Sequence, residues 1–126
     1  MVKNKPLPRL LAGKVRKRRQ RGRKLGFPTA NLNLHQTVAD GVYFSYAILK
    51  KVTYPALTFV GAAQTFAEKK RFIETYILDF NKNIYGQWLT VILLKKIRNN
   101  KKFKNKQTLL AAMQNDRKKA RKFFKK

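Results

Sequence analysis

The sequence predicts a mainly β domain, closed into a barrel or folded as a sandwich, with a helix packed outside it. Four short segments rich in aromatic and β-branched residues are separated by turns and are predicted to be strands: residues 42–49, 54–60, 71–80 and 88–94. In the third segment Ile73 and Ile77 lie on one face, while Tyr76 and Leu78 lie on the other. Burial of both faces favours a barrel covered by another element over alternating strands and helices.

The C-terminal segment is the predicted covering element. Asn105 is a suitable N-cap, and the basic residues near the end suit the negative pole of a helix dipole. We therefore predict a helix over residues 105–124. Its stripe at helical spacing consists of Leu110, Met113, Arg117, Ala120 and Phe124.

The connecting segments carry their own expectations. We expect an irregular lead-in over residues 1–9, extending towards residue 12. Residues 25–34 contain glycine, proline and asparagine, so a structured loop is expected to lead there into an extended segment. Between the third and fourth strands, Asn81-Lys82-Asn83 and Ile84-Tyr85-Gly86 are expected to form a hairpin-like connection.

The composition describes one folded domain and excludes several classes of protein. The 126 residues suit a single domain, and because 44% are hydrophobic the chain is not a disordered basic tail. There is no cysteine, which excludes disulfides, zinc–thiolate sites and thiol catalysis. No apolar run approaches the roughly 20 residues of a membrane helix, and Met1 to Leu11 has no apolar core of a secretory signal. We therefore expect a cytoplasmic protein that does not associate with membranes.

The charge of the chain is unusual. There are 31 Lys and Arg residues against 5 Asp and Glu residues, a formal net charge of +26. Such a chain repels itself and attracts polyanions, so nucleic acid, nucleotides and anionic lipid are all candidate partners. We expect a monomer. The basic residues are spread along the chain, so a generally basic surface explains the charge as well as selected nucleic-acid binding does. Any carboxylate chemistry must come from Asp40, Glu68, Glu74, Asp79 or Asp116.

A glycine-containing basic loop precedes the first predicted strand. Gly22 and Gly26 permit close backbone approach to an anion, and Arg23 and Lys24 supply positive charge for phosphate. The loop has neither the Walker A nor the Rossmann pattern.

Two oxygen-bearing side chains follow this loop. Thr29 and Asn31 are two residues apart, so in an extended segment they point the same way and one Mg²⁺ could contact both. The alternative is a turn followed by an asparagine-stabilised loop.

The segment Gly22-Arg23-Lys24-Leu25-Gly26-Phe27-Pro28-Thr29-Ala30-Asn31-Leu32 resembles the signature of riboflavin kinases, G-R-x-L-G-F-P-T-A-N. Further blocks that resemble the family follow in the same order: Asp40-Gly41-Val42-Tyr43, Gly61 to Phe66, Glu74 to Phe80, Tyr85-Gly86, Ile97-Arg98 with Phe103, and Leu109, Asp116, Ala120 and Arg121 in the final helix. The resemblance covers about residues 10–124.

The resemblance implies a fold and an activity. The fold is a six-stranded antiparallel Greek-key β-barrel with a C-terminal α-helix packed outside. The activity is Mg²⁺-dependent transfer of the terminal phosphoryl group of ATP to riboflavin, which gives FMN and ADP. Bacterial members of the family usually carry an additional adenylyltransferase domain, and we expect none in this chain.

The resemblance also implies roles for individual residues. Glu74 is the implied general base for the ribityl hydroxyl, and Thr29 and Asn31 are the implied Mg²⁺ ligands. Flavin contacts are expected from Arg98, Leu109, Leu110 and Met113, with core packing as the alternative for the three helix residues. Contacts to the nucleotide and its phosphates are expected from Gly13, Lys14, Arg18, Gly22, Arg23, Lys24, Gly26, Pro28 and Thr29.

Several positions depart from the family pattern. Arg18 stands where the family has a second glycine, Gln64 replaces a proline, and Tyr76 replaces a histidine. Asn99-Asn100 replaces an acidic pair. Two alternatives therefore stay open: a basic nucleic-acid-binding β-barrel, and a degenerate homologue that binds flavin or nucleotide without turnover.

Overall fold

The computed structural model describes residues 6–16, 29–34, 38–62, 71–101 and 103–125, and these residues form six antiparallel strands and one helix. The strands are β1 (Arg9–Lys14), β2 (Ala30–Asn33), β3 (Gly41–Leu49), β4 (Val52–Ala62), β5 (Arg71–Ile77) and β6 (Trp88–Arg98). The helix, α1, is Lys106–Phe124.

The strands form one sheet that closes almost completely on itself. Their order is β1-β6-β3-β4-β5-β2, so β3, β4 and β5 form a meander and β6 returns to lie beside β3, which is a Greek key. Beyond the end of β1, Arg16 bridges to Asn31 of β2, and the Arg16 backbone N–H donates to the Asn31 carbonyl at 2.8 Å. The predicted Greek-key barrel is confirmed.

Each strand contributes to one of two apolar layers or to both. The barrel interior contains residues from all six strands, among them Leu32, Ile73 and Leu89, each at most 1% exposed. A second cluster lies outside, where Leu57 and Tyr76 pack against Met113 of α1. Strand β5 therefore has both faces buried, as its sequence predicts.

Two sequence-based expectations are wrong. Residues 9–12, expected to belong to an irregular lead-in, form part of β1, which begins at Arg9 and pairs with β6 over its whole length. Its sequence lacks β-branched residues, so its strand conformation depends on the partner. The segment 81–86 does not connect a hairpin, because β5 and β6 are not neighbours in the sheet. Instead, Gly86 donates to the carbonyl of Val15 at 2.8 Å, which ties this segment to the end of β1.

The predicted helix is confirmed, and four residues of its predicted stripe belong to the apolar cluster between helix and barrel: Leu110, Met113, Ala120 and Phe124. Asn105 caps it, and its side chain accepts from the Thr108 backbone N–H at 2.9 Å. The buried helix residues are Met113, Asp116 and Ala120, whereas Arg117 is only half-buried. No helix in the described part of the chain is long and apolar enough to span a membrane.

The turn between β3 and β4 is conformationally unusual. Lys50 and Lys51 both have positive φ, at 49° and 69°, in a two-residue hairpin loop. This backbone geometry is the one for which asparagine and glycine are preferred, because a Cβ atom is crowded there.

We predict that the double variant Lys50→Asn/Lys51→Gly is more stable than the wild type. Relief of the strained backbone is expected to raise the free energy of unfolding by about 1–2 kcal/mol, measured by urea denaturation. The matched control Lys50→Gln/Lys51→Gln removes the same two charges but keeps both Cβ atoms. Equal stabilisation of the two variants would show that charge, and not backbone geometry, limits stability here.

Candidate functional site

The site is organised by the pairing of β2 with β5. In this register Asn31 lies directly opposite Glu74. Opposite residues on antiparallel strands point to the same face, with Cβ atoms about 5 Å apart. That face is the outer one, because Ile73 and Thr75 on either side of Glu74 are 1% exposed inside the barrel. Asn31 is buried and Glu74 is half-buried, so the carboxylate is reachable from solvent.

Thr29 and Asn31 supply buried oxygen atoms at this position. Thr29 is 6% exposed and Asn31 is fully buried. The Asn31 Nδ2 group donates a long hydrogen bond of 3.5 Å to the Thr29 carbonyl. Within the described residues, the Asn31 Oδ1 atom accepts no hydrogen bond although it is buried.

A buried acceptor without a donor has a free-energy cost, so its presence suggests a ligand. The described residues contain no group of three His, Asp or Glu side chains that could hold a metal ion. A site for Mg²⁺ would therefore depend on neutral oxygens together with substrate phosphates and water, which Mg²⁺ accepts. The Asn31 Oδ1 atom fits that requirement.

Arg16, a member of the basic run of residues 14–24, is brought beside Asn31 by the tertiary structure. Its antiparallel bridge to Asn31 places its side chain on the same outer face, and this side chain is exposed. Closure of the barrel thus places the Arg16 guanidinium group next to Asn31, on the side of Asn31 away from Glu74. No local pattern indicates this neighbour, because 15 positions separate Arg16 from Asn31 in sequence.

A cleft opens at the adjacent mouth of the barrel. Hydrogen bonds of 2.8 Å from Val15 N–H to the Gln87 carbonyl and from Gly86 N–H to the Val15 carbonyl hold its rim. Apolar walls with a few polar groups are typical of sites for small ligands. The lining comprises Val15, Thr29, Ala30, Thr75, Ile77, Phe80 and the segment 81–85. Since Thr29 belongs to this lining, the cleft and the outer face meet at the end of β2.

The helix is held against the outer face by a buried ion pair. Arg98 Nε donates to Asp116 Oδ1 at 2.9 Å, and Arg98 Nη2 donates to Asp116 Oδ2 at 2.6 Å. Asp116 is 1% exposed. The sequence contains a signal for this carboxylate, because Asp116 is three residues after Met113 and four before Ala120, on the buried stripe.

Arg98 lies in the same lateral row of side chains as Glu74. Glu74 pairs with Phe59, Phe59 with Val42, and Val42 with Arg98. Three strand spacings separate Glu74 from Arg98, or roughly 14 Å. Phe59 and Val42 therefore form an apolar surface between the Glu74 carboxylate and the point where Arg98 binds Asp116 of the helix.

The remaining predicted site residues fall into three groups. Gly13 and Lys14 lie on β1, and Lys14 is exposed. Leu109, Leu110 and Met113 belong to the apolar layer between helix and barrel, where Met113 is 7% exposed. The third group lies outside the described residues: Arg18, Gly22, Arg23, Lys24, Gly26 and Pro28.

A second ion pair fixes the end of the helix. Arg121 Nη2 donates to Asp79 Oδ1 at 2.9 Å, and Arg121 Nη1 donates to Asp79 Oδ2 at 3.1 Å. The hydrogen bond from Arg121 lowers the pKa of Asp79 below its ordinary value. Both side chains are exposed, so this pair contributes little to stability.

Together these features define a class of protein: a six-stranded Greek-key barrel whose polar site lies on the outer face beside a C-terminal helix. The chain belongs to the flavokinase, or riboflavin kinase, family, whose model matches residues 6–124.

Known proteins similar to this chain are mostly longer. The chain is 40% identical over 120 residues to the Mycoplasmoides gallisepticum "Trifunctional protein RibF/MnmA", covering 93% of this chain and 18% of that protein. It is 34% identical over 120 residues to the Escherichia coli "Bifunctional riboflavin kinase/FMN adenylyltransferase", with 93% of this chain and 38% of that protein covered. It thus spans less than half of either relative.

A solved structure agrees with the fold. The riboflavin kinase from Trypanosoma brucei matches with a TM-score of 0.68 at 26% sequence identity, and the match covers 93% of this chain and 77% of that chain.

We predict that Asp116→Asn destabilises the fold, because it leaves the Arg98 guanidinium without its carboxylate. The expected loss in the free energy of unfolding is about 1–3 kcal/mol by urea denaturation, below the value for a fully buried pair because Arg98 is 19% exposed. The double variant Arg98→Met/Asp116→Leu is expected to regain most of this loss. An Asp116→Asn protein as stable as the wild type would contradict a structural role for the pair.

Proposed function

We propose that this chain is a riboflavin kinase, which transfers the terminal phosphoryl group of ATP to the terminal ribityl hydroxyl of riboflavin and releases FMN and ADP. The observation that carries the proposal is the register that places Glu74 opposite the buried Asn31. Membership of the flavokinase family supports the same reaction.

Glu74 is the proposed general base. As the hydroxyl oxygen bonds to the phosphorus and the bond to ADP breaks, the hydroxyl proton passes to the Glu74 carboxylate. A base must lie within hydrogen-bond reach of the proton that it accepts. The half-buried position of Glu74 on the outer face allows a substrate to approach while the strand holds the carboxylate in place.

Thr29 and Asn31 are the proposed ligands of Mg²⁺. When bound, the ion would neutralise charge on the phosphates of the nucleotide during transfer. The protein's contribution is to hold the two oxygens: both residues are buried, and the Asn31 backbone is fixed by β5 on one side and Arg16 on the other.

We propose that ATP occupies the cleft at the barrel mouth, with its phosphates directed towards Thr29. The apolar part of the lining, including Val15 and Ile84, suits a nucleobase. The exposed guanidinium of Arg16 and the ammonium of Lys14 supply positive charge at the phosphate end. The basic loop with Arg18, Gly22, Arg23, Lys24, Gly26 and Pro28 is proposed to complete the phosphate contacts.

Riboflavin is proposed to lie along the row that runs from Glu74 towards Arg98. Phe59 and the helix residues Leu109 and Leu110 supply apolar surface there. The Arg98 guanidinium is already bound by Asp116 and by the Asn99 carbonyl, at 3.1 Å from Nη1. We therefore assign Arg98 a positioning role, in which it holds the helix beside the flavin, together with the buried Met113.

A second proposed property follows from the charge. If all 5 acidic residues were paired, 26 of the 31 cationic residues would still lack a carboxylate. Such an excess favours association with polyanions, including nucleic acid, and opposes self-association. We propose that the protein is monomeric and binds polyanions in a salt-dependent manner.

We predict that Glu74→Gln lowers the rate of FMN formation from riboflavin, ATP and Mg²⁺ by about 10²- to 10⁴-fold, because the amide cannot accept the proton. The matched control Asp79→Asn neutralises an exposed carboxylate two residues beyond β5 and is expected to retain wild-type activity. Absence of FMN from folded wild-type protein would refute the kinase, whereas full activity of Glu74→Gln would refute only the base.

We predict that Asn31→Leu separates activity from stability. Removal of a buried acceptor is expected to leave the free energy of unfolding unchanged or about 1–2 kcal/mol higher. FMN formation is expected to fall by about 100-fold or more, because a proposed Mg²⁺ ligand is lost. Asn33→Leu, two residues further along the same face of β2, is the control and should remain active. A destabilised but active Asn31→Leu protein would assign Asn31 a structural role instead.

A further inference from the structure

The outer face of β1 and β6 carries an exposed aromatic residue that the kinase reaction does not use. Trp88, the single tryptophan of the chain, is 64% exposed and is the most exposed of the large apolar side chains that the structure describes. It begins β6 and points outward, because the next residue, Leu89, is buried inside the barrel. The helix contacts β6 at the other end of the strand, where Ile97 packs against it and Arg98 binds Asp116, so Trp88 stays exposed.

Lysine side chains flank Trp88 on both sides. Lys14 of β1 lies directly opposite Trp88. On the other side of β6 lies β3, and the last pair between these two strands joins Ile48 to Thr90. Beyond this pair, Trp88 lies two residues from Thr90 and the Lys50–Lys51 turn begins two residues from Ile48, so the turn and Trp88 are at the same end. All three lysines are exposed, and within the described residues none of them forms an ion pair with a carboxylate.

The face continues as a mixed apolar surface away from Trp88. Ala12 lies opposite Thr90, and Leu10, which is 56% exposed, lies opposite Ile92. A surface of this kind on an isolated domain marks an interaction site. A second copy of the chain is a poor occupant, because each copy carries a net charge of +26.

The strained turn is a separate observation on the same surface. Lys50 and Lys51 hold positive φ where asparagine and glycine would be unstrained. Backbone strain of this kind is often retained for function. What the two adjacent lysines add at this turn is a pair of positive charges beside the Trp88 ring.

We propose that the outer face of β1 and β6, centred on Trp88, binds single-stranded nucleic acid. A base stacks on the Trp88 ring, while the Lys50–Lys51 turn contacts the flanking phosphates. Aromatic platforms within positively charged grooves bind single strands in this way, whereas the bases of a duplex are not accessible for stacking. The proposal locates the polyanion association proposed above and rests on it.

The single tryptophan makes the proposal directly measurable. Titration with an oligouridylate of about 10 nucleotides, a length within the usual site size, is expected to quench the Trp88 emission as the ring stacks. Binding is expected to weaken about tenfold or more between about 50 and 200 mM salt. A duplex of equal length should bind without quenching. Unchanged Trp88 emission at saturation with the single strand would overturn the proposal.

Substitutions test the two parts of the surface. Measured by anisotropy of a labelled oligouridylate, Trp88→Ala is expected to weaken binding by about 5- to 100-fold, and Trp88→Phe by much less. Lys50→Asn/Lys51→Gly is expected to weaken binding and to reduce the salt dependence, although its fold is expected to be the more stable one. Wild-type affinity in Trp88→Ala would refute the platform.

Control variants distinguish binding at this face from non-specific electrostatic attraction between the oligonucleotide and the basic protein. Lys118→Gln/Lys122→Gln removes two exposed charges from the helix, and an equal loss of affinity there would show that binding has no defined location. Displacement of the oligonucleotide by saturating ATP and Mg²⁺ would assign Trp88 to the nucleotide site instead. Trp88-dependent binding to phosphatidylserine vesicles but not to oligouridylate would assign a membrane surface. Retained FMN formation in Trp88→Ala is expected, so failure of this proposal leaves the kinase standing.

Discussion

Closure of the barrel is the constraint on which the rest of this structure depends. Strand β1 pairs with β6 along its length and then reaches β2 through the bridge between Arg16 and Asn31. Once the sheet is closed, each strand has an inside and an outside, and side chains must alternate between them. The interior takes one apolar cluster, and the helix covers part of the outside with another. The polar site lies on the outside because the interior is filled.

The same closure couples stability to function. Asn31 is fully buried, with an oxygen that no described residue satisfies, in a strand held between β5 and Arg16. An apolar residue would suit such a position better, so the asparagine is consistent with a requirement for an oxygen ligand. On the helix side, Asp116 is buried and matched by Arg98. In the first case no described residue donates to the acceptor, and in the second the protein itself supplies the partner.

The positions of the few carboxylates show which of the many positive charges are paired. Asp116 and Asp79 are each bound by an arginine, and both pairs attach the helix to the barrel. The lysines around Trp88 lie in a region without such pairing among the described residues. Two arginines therefore link the helix to the barrel through carboxylates, whereas the lysines around Trp88 keep their charge unmatched by the described carboxylates.

Local sequence patterns predict much of the secondary structure of this protein. The four central strands and the C-terminal helix with its Asn105 cap are readable in the sequence, because they depend on alternation, spacing and capping. The signature that contains Thr29 and Asn31 is readable by its resemblance to the riboflavin kinase family. Four features depended on the tertiary structure: strand β1, the absence of a hairpin between β5 and β6, the pairing of Asp116 with Arg98, and the pairing of Asn31 with Glu74. Each arises from contacts between distant segments, whose partners and register are fixed only when the barrel closes.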